Sequence, residues 1–125
     1  MSMEPLEKIA AARQMHFLAL VDASGTVLGE VGDRALAKKA DPYGCYFGSA
    51  HAISETVRWI WGHELTPRAF TDGVLTVVLF KISQERAALA VIDGEPKFPF
   101  RYPEMVEVER ELRATSERWR NESSR

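Results

Sequence analysis

A chain of 125 residues, 46% apolar and 27% charged, suits one domain with a single hydrophobic core. Its formal net charge of −2 argues against general attraction to nucleic acid or to an anionic membrane surface. No stretch approaches the roughly 18 consecutive apolar residues of a membrane span. The opening MSMEPLEKIAA lacks a basic region followed by an apolar run, and Cys45 is the only cysteine, so a cytoplasmic protein without disulfides is expected.

Residues 5–13 read as a short helix opened by Pro5, with Leu6, Ile9 and Ala10 inward. Residues 15–22, MHFLALVD, carry Met15, Phe17, Ala19 and Val21 on one side and Leu18 and Leu20 on the other. Both faces are apolar, which predicts a central strand. The following ASG is turn chemistry, and residues 26–31 return as a strand that Gly29 and Glu30 mark as peripheral. Asp33 is placed to cap a short helical stretch, RALAKKA.

The longest feature comes next. Asp41 suits a helix cap, Pro42 the first helical position and Gly62 a left-handed stop. Residues 41–62 are therefore expected to form one helix of about 20 residues, roughly 30 Å long. Projected at about 100° per residue, Tyr46, Ser49, Ile53, Val57 and Ile60 share the face turned to a sheet. Beside it runs a line of Gly44, Gly48, Ala52 and Trp59. Glycines inside a helix cost about 1 kcal/mol each relative to alanine, and a closely packed partner helix would offset that cost. The plain alternative is that the glycines relieve crowding under a loop while Trp59 lies half exposed.

Residues 65–71, LTPRAFT, read as a strand that its proline confines to an edge. Asp72-Gly73 is a hairpin signal, and residues 74–82, VLTVVLFKI, are apolar on both faces. After SQER, residues 87–93 form a fifth strand whose small alanines suggest a closely packed helix above it. Pro96, Pro99 and Pro103 then space out Phe98, Phe100 and Tyr102, which predicts an extended arm over residues 94–103. Residues 104–120 read as a helix with a narrow stripe of Met105, Val108, Leu112, Thr115 and Trp119. Glu109 with Arg113 and Glu117 with Arg120 stand at helix pairing distances, and residues 121–125 are expected to fray.

Chemistry-bearing constellations are scarce. His16, His51 and His63 have no metal-site spacing with Cys45; His51 and Glu55 are one turn apart with nothing to complete a ligand set. Cys45 and His51 cannot meet on one helix, and no phosphate-binding glycine loop is present. Asp22 and Asp93 end two expected central strands, where two carboxylates side by side would serve as acid and base, or each would simply finish a turn. No enzyme activity, metal or cofactor is expected.

The order helix, two strands, long helix, three strands, helix, together with LALVDASGTVLGEVGD, resembles the Roadblock (dynein light chain) family. That family's first hairpin commonly carries an apolar run, a VD, a turn glycine and a return strand. The Pro/Phe arm departs from its pattern, and Arg13-Gln14 replaces the glycine often found before the first strand. The resemblance implies a single α+β domain, a profilin-like α/β/α sandwich. Its five-stranded antiparallel sheet has the order 2-1-5-4-3, with the long helix on one face and the terminal helices on the other. It further implies a homodimer through the long helix and the third strand, which puts Gly44, Gly48, Ala52, Trp59, Arg68 and Phe70 at a subunit or partner interface. The implied role is a non-enzymatic adaptor or regulatory platform for a small Ras-like GTPase or a larger complex, with neither nucleic acid nor membrane insertion involved. No residue supplies an obvious arginine finger; Arg58 and Arg68 are candidates by position alone, with plain solvation the simpler reading of both. A PAS-like small-molecule sensor is the alternative, sharing a similar strand order and a VDxxG hairpin. PAS domains usually break the middle region into several short helices around a pocket, so a continuous helix over residues 41–62 tells against it.

Overall fold

The computed structural model describes residues 3–94 and 101–123. Its elements run α1 (Glu4–Ala12), β1 (Phe17–Asp22), β2 (Val27–Gly32), α2 (Arg34–Ala40), α3 (Ala50–Trp61), β3 (Arg68–Thr71), β4 (Leu75–Lys81), β5 (Arg86–Asp93) and α4 (Arg101–Ser123). The strands make one antiparallel sheet of order β2-β1-β5-β4-β3, as expected.

Side-chain alternation along the three inner strands feeds two cores. Phe17, Ala19 and Val21 join Val77, Leu79, Leu89 and Val91 under Ile53, Val57 and Ile60 of α3, with Ala37 of α2 and Phe47 beside them. On the opposite face Leu18, Leu20, Val78, Phe80, Ala88, Ala90 and Ile92 meet Leu6 and Ile9 of α1 and Met105, Val108, Leu112 and Trp119 of α4. The expected stripe on the last helix is buried throughout, Thr115 included.

The first hairpin explains its own sequence. Asp22 Oδ1 accepts from the Ser24 amide, the Ser24 hydroxyl and the Thr26 amide, which closes the turn. Gly25 has φ +93°, and a Cβ there would come within 2.5 Å of the Ala50 carbonyl oxygen. The turn therefore rests on the start of α3, where Ser54 Oγ also donates to the Ala23 carbonyl at 2.8 Å. Asp22 pairs with Arg86 while Phe17 pairs with Val91, so Asp22 and Asp93 end up at opposite ends of the sheet and cannot share a proton. Asp93 instead meets His16 Nε2 at 2.5 Å. Where the family often has glycine before the first strand, Gln14 sits at φ +55°.

The single helix expected over residues 41–62 is not formed. Asp41 is buried and starts no helix; it stands at the C-cap of α2, and its carboxylate accepts from the amides of Cys45, Tyr46 and Phe47. That commits the segment to a wrapped loop, and α3 starts only at Ala50, capped by Ser49 Oγ accepting from the Ala52 amide at 3.1 Å. Gly44 and Gly48 lie in this loop. Gly44 has φ +65°, and a Cβ on Gly48 would stand 2.4 Å from the Gly44 Cα. The helix stripe drawn through Gly44, Gly48 and Ala52 thus does not exist as a stripe; the glycines pack against each other. Gly62 ends the helix at φ −73°, without the left-handed turn expected of it.

The last helix is longer at both ends than residues 104–120. It takes in residues 101–103 of the expected arm and residues 121–123 of the expected frayed tail. Pro103 is tolerated because a first-turn amide has no helical partner to lose. The rest of the arm, residues 95–100, lies outside the described residues, as do residues 124 and 125.

Candidate functional site at the β3 edge

Two strands of an open sheet have an unpaired side, and β3 is one of them, bonded among the described residues to β4 alone. The chain reaches it just after a cis Thr66-Pro67 bond and leaves it at the Asp72-Gly73 turn. Its residues are largely exposed. Phe70 lies opposite Val77, and Arg68 opposite Leu79, so both side chains stand on the face that α3 covers.

An aromatic cluster forms there. Phe70 stacks on Tyr46 with ring centroids 5.7 Å apart, and lies 5.8 Å from Trp59. The Arg68 guanidinium sits 5.9 Å from the Trp59 centroid, close enough for a cation–π attraction. His63 also packs on Trp59, with ring centroids 3.9 Å apart. Trp59 is 39% exposed and Phe70 37%, an apolar pair at the rim of an unpaired strand. Beside them opens a groove of about 370 Å³ lined by Cys45, Tyr46, Glu55, Thr56, Trp59, Phe70 and Leu79. Burial, followed by the nearby Asp41 charge, raises the Tyr46 pKa, so its phenol stays neutral at physiological pH.

At the turn end of β3, Asp72 Oδ1 accepts from the Val74 and Leu75 amides at 2.8 Å each. Bonds from the Leu75 and Val74 amides hold its carboxyl below the usual range, so this exposed group is anionic near neutrality.

Of the sequence-derived interface residues, the fold brings Trp59, Arg68 and Phe70 together. Ala52 lies two helical turns before Trp59 on the same side of α3 and is half-buried. Gly44 and Gly48 belong to the loop that carries Cys45 and Tyr46 into the groove. The helical projection turns Tyr46 toward the sheet, and its ring does meet the sheet, stacking on Phe70 at the β3 edge beside the core under α3, but a loop rather than a helix carries it there. Arg58 is exposed and pairs with Glu55 at 3.3 Å. Among the described residues no three His, Cys, Asp or Glu side chains converge as a metal site, and no helix is long and apolar enough to cross a membrane.

No protein-family model and no curated protein matches the chain. Solved structures do. Myxococcus xanthus MglB is 12% identical with a TM-score of 0.59, covering 88% of this chain and 83% of its own. An MglB described as having a tetrameric arrangement is 12% identical with a TM-score of 0.56, covering 93% and 88%. The gliding protein MglB from Thermus thermophilus is 11% identical with a TM-score of 0.54, again covering 93% and 88%. At these identities the likeness is one of fold, and that fold is the Roadblock-like α+β sandwich.

Proposed function

We propose that this chain is a non-enzymatic homodimeric platform that binds and regulates a small Ras-like GTPase, with the surface of α3 and β3 as the subunit contact. The observation that carries the reading is the unpaired edge of β3 with Trp59 and Phe70 exposed beside it. A short bare edge flanked by aromatic side chains invites strand addition. The likeness in fold to MglB, one of whose structures is described by its tetrameric arrangement, supports an assembling platform, and the GTPase partner is what the Roadblock resemblance implies.

The platform reading is tested by solution mass and by binding. Light scattering across a dilution series should give a dimer for the wild type, and Ala52→Arg should move it toward monomer without unfolding it. Titration calorimetry with a Ras-like GTPase, loaded in turn with GDP and a non-hydrolysable GTP analogue, should give saturable binding that differs between the two states. A monomer at every concentration, or no binding to either state, would sink the proposal.

The sensor reading keeps one observation in its favour. The middle of the chain is broken into α2, a wrapped loop and α3, which removes helix continuity as an argument against it. The space between α3 and the sheet is nevertheless filled by Phe17, Phe47, Ile53, Val57 and Ile60, leaving the groove at the rim. Mass spectrometry of the denatured pure protein checks this: a retained small molecule in stoichiometric amount would favour the sensor.

A further inference from the structure

The groove beside the β3 edge has walls of one chemical kind. Tyr46, Trp59 and Phe70 line it together, with the Tyr46 and Phe70 rings turned 27° to one another and the Trp59 and Phe70 rings turned 50°. Neighbouring centroids stand 5.7 and 5.8 Å apart, so the three rings bend round the opening as one aromatic wall. The faces of such rings are negative, and they attract a cation that comes within about 6 Å of a centroid. Arg68 shows the attraction at work: its guanidinium lies 5.9 Å from the Trp59 centroid, although Arg68 is not one of the residues that line the groove.

The polar groups narrow the choice of ligand. Glu55 is the one carboxylate in the lining, and among the described residues no lysine, arginine or histidine lines the groove. Arg58 pairs with Glu55 at 3.3 Å, with both side chains largely exposed, and an exposed pair of this kind is weak enough to share its carboxylate with a ligand. The Thr56 hydroxyl is already committed to the Tyr46 and Ala52 carbonyls, at 2.9 and 2.8 Å. Burial, followed by the Asp41 charge, keeps the Tyr46 phenol protonated, and that same charge adds to the negative potential behind the wall. An anion would face a carboxylate with no cation in the lining to receive it. A cation meets the reverse.

Between cations, the groove favours one that carries methyl groups in place of N–H. A primary ammonium gives up strong hydration on entering and needs several acceptors in exchange, whereas Glu55 is the only charged acceptor in the lining. A quaternary ammonium spreads its charge over methyl groups that rest against aromatic faces and asks for no hydrogen bond. The volume, about 370 Å³, is at the low end for small-molecule sites. We infer that the groove between residues 45–46, α3 and β3 binds a small quaternary-ammonium compound, with the methylated nitrogen against Tyr46, Trp59 and Phe70 and its charge balanced by Glu55. The site is complete within one chain and goes beyond the platform reading, although Trp59 and Phe70 also belong to the proposed subunit contact.

Choline is the probe, and the alcohol in which a tert-butyl group replaces the trimethylammonium is its uncharged match in shape. Each is titrated into the isotope-labelled full chain at constant ionic strength, with backbone amide and indole N–H shifts followed by NMR. Choline should move the signals of Cys45, Thr56 and Trp59, and the alcohol should bind at least about tenfold more weakly. Trp59→Leu keeps an apolar side chain but removes the ring face, and should weaken choline about tenfold; Glu55→Gln should weaken it a few-fold. Circular dichroism checks that both variants fold, and the comparison of choline with the alcohol on the wild type needs neither. Equal affinity for the two compounds, or choline shifts that fall away from the groove, would overturn the site. So would groove signals that move with protein concentration and ignore choline, since a second copy would then fill the space. Light scattering on the same samples keeps the two readings apart: a monomer that binds choline sinks the homodimer and leaves the site standing, and a dimer blind to choline does the opposite.

Discussion

Glu109 shows how one carboxylate completes a sheet whose edge strand stops early. Continuing the pairing of Arg68 with Leu79 would bring Thr66 opposite Lys81, but the ladder ends at Arg68. Glu109, buried on α4, spans that gap: Oε1 accepts from the Thr66 hydroxyl at 3.1 Å and Oε2 from the Lys81 amide at 2.9 Å. Arg113, one turn on, reaches back to Glu109 at 3.1 Å and donates from Nε to the Lys81 carbonyl at 2.9 Å. In sequence the Glu109–Arg113 spacing looks like an ordinary surface pair, because nothing local reveals which helical pair will meet a strand end. Glu109→Ala takes the acceptor from a partly buried amide and hydroxyl and should cost about 2–4 kcal/mol. Urea unfolding measures it; a loss below about 0.5 kcal/mol would mean that water replaces the carboxylate.

At the scale of elements, strands and terminal helices were legible because their burial follows simple periods. Residues 15–22, 74–82 and 87–93 are apolar on both faces, and β1, β4 and β5 fall within two residues of those bounds. The stretch before α3 was not legible, and the reason is a competition between caps. Both Asp41 and Ser49 are good helix-starting residues, and a helix begun at Asp41 would have to carry two glycines. The buried Asp41 carboxylate gains three amide bonds in the loop, and the loop sets Phe47 against Phe17 with centroids 5.7 Å apart. Local sequence cannot weigh that tertiary contact. The loop makes its own prediction. A methyl group at Gly48 would stand 2.4 Å from the Gly44 Cα, backbone that has no side chain to swing aside. Gly48→Ala should cost about 1–3 kcal/mol. Gly62→Ala is the control, since its nearest neighbour is 3.6 Å away and its φ is ordinary for alanine; it should be neutral or slightly stabilising. Equal losses for both in urea unfolding would show that the close approach between the two glycines does not hold the loop.

For the whole molecule, the proposed homodimer ties stability to concentration. If the folded chain associates as proposed and the unfolded chain does not, mass action favours the folded state as protein is added. For a dimer unfolding to two chains, each tenfold rise in concentration adds about 1.4 kcal/mol per dimer. Spread over the unfolding entropy of some 250 residues, that is a rise in Tm of about 3 °C per decade. A monomer whose exposed Trp59 and Phe70 merely decorate the surface would melt at the same temperature throughout. Scanning calorimetry over a hundredfold concentration range separates the two, with Phe70→Asp alongside. That substitution puts a carboxylate at the proposed β3 subunit contact while altering a side chain that is already 37% exposed in the single chain. It should flatten the concentration dependence and shift the Tm at the dilute limit only slightly. A slope that survives Phe70→Asp would move the subunit contact away from β3, to the other unpaired strand, β2, or to the helices.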